Sequence, residues 1–495
     1  MIAKCPGCGA PTTAGAFVCR YCNSPLSGPP RGQPTATAAA GQGGRAVGLA
    51  LGLTVLMGTI SAAGVWVTSR AADPGAPGSG GGLLGGLTPR QSPNGLLAAI
   101  PNTTGGDDLL VHFYHDDKYH LARLDGLGLT KLWESEHGEK VSTDAAVTTT
   151  TAAILAEGER LRAYDLGDGH QLWDVGLVAD LQWGDNLRLV GDTVVAWQKD
   201  KSLQAFDVAS GAVRWTRKTH KAGDRLLTVA GKVVSEADGD PTKFVLVDPK
   251  TGVASPPAYV SCDKKRDAFS ASYEYLQQGD TTPDGNSLVL ALGIHELCLV
   301  RWDPAAAKAV YSTGIKDSIR VGWTERSGMK VGPNATYLGG DDVLLAFDHA
   351  TGTQRDLIRE PESNFRVWQI QGDAVLALAW PDHDSSKLSL RAIGPDGAQR
   401  WTHRLRATDS SGRDWGTAAG PDVVVVWQTD EDSKTVVVER IDLKTGQLLD
   451  TKPATTASSI APRVYDSLAT PRRAWFLAIG DIATIDLATG AIDHT

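Results

Sequence analysis

An all-β fold, a β-propeller, is what this sequence predicts, on three observations. A short turn pattern recurs nine times down the last three-quarters of the chain, starting at Asp125, Asp165, Asp207, Asp248, Asp303, Asp348, Ile393, Asp442 and Asp486. Successive starts lie 40 to 55 residues apart, the period of an array of supersecondary units that each need a neighbour to bury an apolar face. The stretches before the turns read as short strands with no helical period, as in Asp342-Val343-Leu344-Leu345-Ala346-Phe347 and Val423-Val424-Val425-Val426-Trp427. Radial repetition of such strands is a propeller. Nine turns over residues 106–495 predict eight blades, with strands from both ends sharing the closing blade, and seven as the alternative.

The clearest turn is Asp207-Val208-Ala209-Ser210-Gly211, followed by Trp215. The Asp carboxylate can accept from amides further along the turn, and Gly supplies a positive φ where the chain reverses. Asp165, Gly169 and Trp173 repeat the pattern, while the turns at Asp248, Asp348, Asp442 and Asp486 keep the Gly and lack the Trp. Degenerate copies carry Trp133, Tyr311 and Trp401. The aromatic is expected to pack between blades.

The Asp-x-x-Thr/Ser-Gly-x-x-x-Trp turn resembles the repeat of the pyrroloquinoline-quinone-like propellers. That superfamily includes quinoprotein alcohol dehydrogenases, a propeller lipoprotein of outer-membrane assembly machinery, and sensor domains fused to bacterial membrane kinases. The resemblance implies the fold over roughly residues 105–495 and leaves function open, because one superfold hosts many activities.

Ahead of the propeller, the chain divides into four segments. Residues 1–24 hold Cys5-Pro6-Gly7-Cys8 and Cys19-Arg20-Tyr21-Cys22. Each CxxC makes a knuckle with convergent thiolates, and four thiolates suit tetrahedral zinc, so Cys5, Cys8, Cys19 and Cys22 are the expected metal ligands and Zn2+ the expected cofactor. The segment resembles a short zinc ribbon. An iron site of the same geometry and two redox-active pairs are the alternatives. Residues 25–45 are a Pro/Gly/Ala/Thr-rich cytoplasmic linker. Residues 46–69 are a run without charge, bounded by Arg45 and Arg70 and long enough for a single transmembrane helix. Residues 70–105 are a Gly/Pro-rich linker.

Charge sets the orientation. Residues 1–45 carry Lys4, Arg20, Arg31 and Arg45 and no acidic residue, which places the ribbon in the cytoplasm and the propeller outside the plasma (inner) membrane. Two further cysteines, Cys262 and Cys298, fall in the propeller, where an oxidising compartment can pair them; two separate buried thiols are the alternative. A bridge would close a loop of about 36 residues and contribute roughly 3–4 kcal/mol in the chain-entropy view.

The net charge is −9, and residues 1–72 hold five basic and no acidic side chains, so the remainder carries 43 basic against 57 acidic. Such a surface is a poor partner for nucleic acid. No phosphate-binding Gly loop, HExxH or Ser–His–Asp pattern is evident. The quinone enzymes of the superfamily use adjacent cysteines, which this chain lacks. No catalytic or cofactor-binding residues are expected in the propeller, and the chain is expected not to be an enzyme. The expected function is a non-catalytic, membrane-anchored scaffold in the bacterial cell envelope, binding an envelope protein by a propeller face or by strand addition. The alternatives are an extracytoplasmic ligand sensor coupled to a cytoplasmic zinc-ribbon docking module and, more remotely, a quinone-dependent dehydrogenase.

Overall fold

The computed structural model describes residues 3–4, 11–12 and 92–494 except 103–105, 116–117, 138–140, 182–185, 219, 222–225, 238–239, 261–275, 293–296, 316–327, 383, 407–414, 431–434, 455–463 and 479–480. The chain forms two compact units, Met1–Ala63 and Gly64–Thr495. In the first, Ala3–Lys4 pairs antiparallel with Pro11–Thr12, Ala3 opposite Thr12 and Lys4 opposite Pro11. The proposed ligands Cys5, Cys8, Cys19 and Cys22 and the apolar run 46–69 lie outside the described residues. Among the described residues, no helix is long and apolar enough to cross a membrane.

Among the described residues, the second unit is all-β apart from one 3-10 turn, Ser385–Lys387. Its described strands form antiparallel meanders in strict chain order: Ser92–His137, Val141–Gly176, Leu187–Lys218, His220–Tyr259, Leu276–Gly314, two meanders within Met329–Arg404, then Trp415–Pro453 and Val464–His494. We number them one to nine. Meanders six and seven share one sheet of seven strands, because the strand Gln354–Gln371 is the outer strand of six over its first half and the inner strand of seven over its second.

Each of the nine turns therefore has its own meander, four-stranded except the fourth, where His220–Lys221 and Thr228–Val229 both pair with Lys232–Ala237. The expected eight blades, or seven, assumed a closing sheet shared by both chain ends. The described strands show the first sheet built from Ser92–His137 alone and the last from Val464–His494 alone. The boundary of the expected linker also moves. Ser92–Pro101, placed in that linker by its Pro, Asn and Gly, is the inner strand of meander one. Ladder irregularities between Pro93 and Gly95 and between Leu96 and Ala98 break the period-two signal that would have marked it as strand.

The second strand of each meander is apolar on both faces because each face packs on a different neighbour. Leu288, Leu290 and Leu292 enter the cluster shared by meanders four and five, while Val289 and Ala291 enter that shared by five and six. Val424 and Val426 face meander seven, and Val425 and Trp427 face nine. Nine such clusters join consecutive meanders, and the one combining Leu96, Val111 and Phe113 with Leu468, Trp475 and Leu477 closes the ring between nine and one. The first strands lie innermost, where those of meanders one, two and nine meet. The fourth strands lie outermost and are largely exposed, as in Val213–Lys218 and Leu448–Pro453. This is a propeller architecture.

Candidate interaction face

Antiparallel order gives the ring two distinct faces. The Asp-led turns join third to fourth strands on one face, the turn face. The opposite face, the loop face, carries the second-to-third connections and the links from one meander to the next.

On the turn face, polar groups are spent on the fold itself. Asp207 Oδ1 accepts from the amides of Ala209 and Ser210, Asp248 from Lys250 and Thr251, Asp348 from Ala350 and Thr351, and Asp442 from Lys444 and Thr445. Hydrogen bonds from Arg214 and then Ser210 hold the Asp207 carboxyl below the usual carboxylate range, and Thr351 does the same for Asp348. Gly211 sits at φ +69°, and a Cβ there would come within 2.7 Å of the Trp173 ring of the preceding meander. The same approach brings Gly169 onto Trp133, Gly252 onto Trp215 and Gly446 onto Trp401. The indoles then donate across the seams: Trp133 Nε1 to Leu166 O at 2.9 Å, Trp173 to Val208 O at 2.9 Å, Trp215 to Pro249 O at 2.8 Å and Trp401 to Leu443 O at 2.7 Å. The expected packing role of these aromatics is what the structure shows.

Each of these aromatics follows a residue skipped by the ladder: Leu132, Leu172, Arg214 and Arg400, with Val310 before Tyr311. The bulge turns the ring into the seam and puts a kink in the outer edge strand. Kinked edges resist pairing with foreign strands.

At two further seams the donor comes from another position. Arg440 takes its place between meanders eight and nine, donating to Ala488 O at 2.7 Å and Thr489 O at 3.0 Å, with Gly490 against its side chain. At the closing seam Trp475 donates to Gly126 O at 3.1 Å, Thr484 donates to the same carbonyl at 2.9 Å, and Thr470 Oγ1 donates to Asp107 Oδ2 at 2.8 Å.

The loop face is irregular. Links between meanders run from a single residue, 219, to sixteen, 260–275, and six runs straight into seven. Beneath this face, three seams carry buried polar pairs at equivalent positions of the second and third strands. Between one and two, Glu157 accepts from Arg162 Nη1 and from Tyr164 OH at 3.0 Å, and His137 Nδ1 of meander one lies 3.6 Å from it. Burial, then Glu157, pushes the Tyr164 phenol well up, so it stays a donor. His137 stacks on His112 at 5.0 Å, and His112 on Tyr119 at 5.2 Å. Between two and three, Gln198 Nε2 donates to Gln204 Oε1 at 2.8 Å, and the Ala179 amide donates to Gln198 Oε1 at 2.6 Å. Between seven and eight, Glu439 is bonded by His403 Nε2 and Gln428 Nε2, each at 2.8 Å, and by Arg406 Nη2 at 3.2 Å. At the rim of this face Tyr114 is 40% exposed and tilts against Tyr119 at 4.8 Å.

Among the described histidines, His403 lies in a seam pair, His349 in the seam between five and six, and His170 on an exposed turn. His112 and His137 meet on one face of meander one, whereas His120 lies on its other face against Phe113. The one group among the described residues with three convergent metal-ligating side chains is Asp165, Asp168 and His170, where Asp165 caps its own turn and Asp168 accepts from His170 Nδ1 at 2.6 Å. Cys298 is buried and disulfide-bonded, and Cys262 lies outside the described residues.

Residues 96–274 match the model of the family described as outer membrane protein assembly factor BamB. No curated protein matches the chain. Solved structures that match include BamB from Moraxella catarrhalis, at 13% identity and TM-score 0.42, covering 78% of this chain and 95% of that one. A second is dihydro-heme d1 dehydrogenase NirN in complex with DHE, at 12% identity and TM-score 0.45, covering 69% and 72%. A third is a europium-containing methanol dehydrogenase, at 11% identity and TM-score 0.40, covering 67% and 82%.

Proposed function

We propose that this chain is a non-catalytic, membrane-anchored scaffold of the bacterial cell envelope whose propeller presents its loop face to another envelope protein. The asymmetry of the two faces carries the reading. Turn-face carboxylates bond the turns they open, whereas the loop face pairs a rigid, internally bonded floor with connections of unequal length. Variable loops on a rigid frame are where binding concentrates. The family matched by residues 96–274 is named for assembly at the outer membrane, which supports a protein partner in the envelope. The bulged outer strands favour docking by a face over strand addition at the rim.

The N-terminal segments complete the proposal. Cys5, Cys8, Cys19 and Cys22 hold Zn2+ in a cytoplasmic ribbon, and residues 46–69 form the anchor. The ladder of Ala3–Lys4 with Pro11–Thr12 brackets the first CxxC, as a strand pair around a metal knuckle would. Cys298 takes Cys262 as its partner, stapling the long link between meanders four and five.

The test is crosslinking of the full-length protein in cells, with an enzymatic tag after Thr495 probed in intact cells. An envelope protein captured together with a tag labelled from outside is the expected result. A tag labelled only after lysis, or capture of cytoplasmic proteins alone, overturns it.

A further inference from the structure

The position after the turn Asp is apolar or Gly in eight of the nine turns: Gly126, Leu166, Val208, Pro249, Pro304, Gly394, Leu443 and Leu487. In the turn of meander six it is His349. Leu166, Leu443 and Leu487 fill the apolar clusters of their seams. The imidazole takes the same place at the seam between meanders five and six, at 7% exposure.

Its surroundings fix it as a neutral ring. Nε2 lies 2.9 Å from Thr336 Oγ1 of the strand Ala335–Gly339, and the ring also bonds the Pro333 backbone, which offers only a carbonyl. One nitrogen therefore carries the proton toward Pro333 and the other accepts from the Thr336 hydroxyl. From meander five, Arg301 reaches across the seam, donating through Nη1 to His349 O at 2.6 Å and through Nη2 to Ser287 Oγ at 3.2 Å. Tyr311, also from five, packs on Gly352 of the same turn, and burial pushes its phenol up to about 12, so it brings no charge. The acids in reach are Asp348 of the turn and Asp284 of meander five, and both act more weakly on the ring than burial and Arg301 do.

We propose that the seam between meanders five and six is the acid-sensitive joint of the ring: a proton taken up by His349, sealed beside the Arg301 guanidinium, opens this seam ahead of the others. A second positive charge there has no exposed route to solvent while the seam is shut. Burial, then Arg301, depresses the folded His349 to about 4, whereas a ring released to water titrates near 6.5. The sign follows. The closed seam keeps its full advantage above about pH 6.5 and loses it progressively as pH falls toward 4, because the open form binds the extra proton. Between pH 7.5 and pH 5 the opening equilibrium rises roughly thirtyfold.

Hydrogen–deuterium exchange of the full-length protein at pH 7.5 and 5.0, corrected for intrinsic rates, tests this. Strands flanking the joint, Cys298–Asp303, Lys308–Gly314 and Ala335–Gly339, should gain roughly thirtyfold in opening relative to Val423–Asp430, at seams that carry leucine. His349→Gln keeps a bonding partner for Thr336 without titrating and should remove that gain. His349→Leu, the residue the other seams use, provides the same control should the Gln variant fold poorly. An undiminished acid response in either variant overturns the joint, as does earlier acid opening at any other seam of the wild type.

Discussion

On the turn face, eight Asp-led turns bond their own amides, and the six of them that carry a Gly four residues on set it against an aromatic or Arg side chain of the preceding meander. On the loop face, the links between meanders vary from one residue to sixteen, and the polar atoms beneath them pair as His–Glu, Gln–Gln or Gln–Glu–Arg. The turn face repeats because it solves one problem nine times: closing a hairpin and locking it to the next. The loop face is free of that duty, so its sequence can vary without opening the ring. A division between a locked face and a variable face is what a docking platform requires.

Several substitutions sharpen this comparison, beginning with the largest effect. Trp401→Ala removes a buried indole and leaves Leu443 O without its donor; it should cost about 3–5 kcal/mol by denaturant unfolding. Gly446→Ala puts a Cβ 2.3 Å from Trp401 Cβ at φ +73° and should cost about 2–4 kcal/mol in the same assay. Glu439→Gln on the loop-face side weakens bonds to His403 and Arg406 and should cost roughly 1–2 kcal/mol. Asp207→Ala strips one turn of its cap and should cost about 1 kcal/mol. Equal losses for Trp401→Ala and Glu439→Gln would erase the distinction between faces, because the turn face would no longer be the lock.

The fold was legible because the turn is chemically explicit. Asp opens eight of the nine turns, Gly stands four residues on in seven and an aromatic follows in five, so periodicity exposed the architecture. What stayed hidden departs from the repeat. Ser92–Pro101 breaks alternation with two irregularities, and Gln354–Gln371 replaces a link with continuous strand, so neither announces itself. Arg440 stands in for an indole through its guanidinium, a substitution that composition does not flag. His112 and His137 of meander one meet through pairing between strands, and register between strands is not written in any one of them. His349 was visible as a residue, but its neutral, sealed state depends on Arg301 arriving from the neighbouring meander.

The most direct test places a photoreactive phenylalanine at matched exposed apolar positions and crosslinks in living cells. Tyr114 and Val178 lie on the loop face, and Leu127 and Val253 on the turn face. The account predicts one envelope protein captured from Tyr114 or Val178 and none from Leu127 or Val253. Capture from the turn-face pair, with nothing from the loop-face pair, would contradict it.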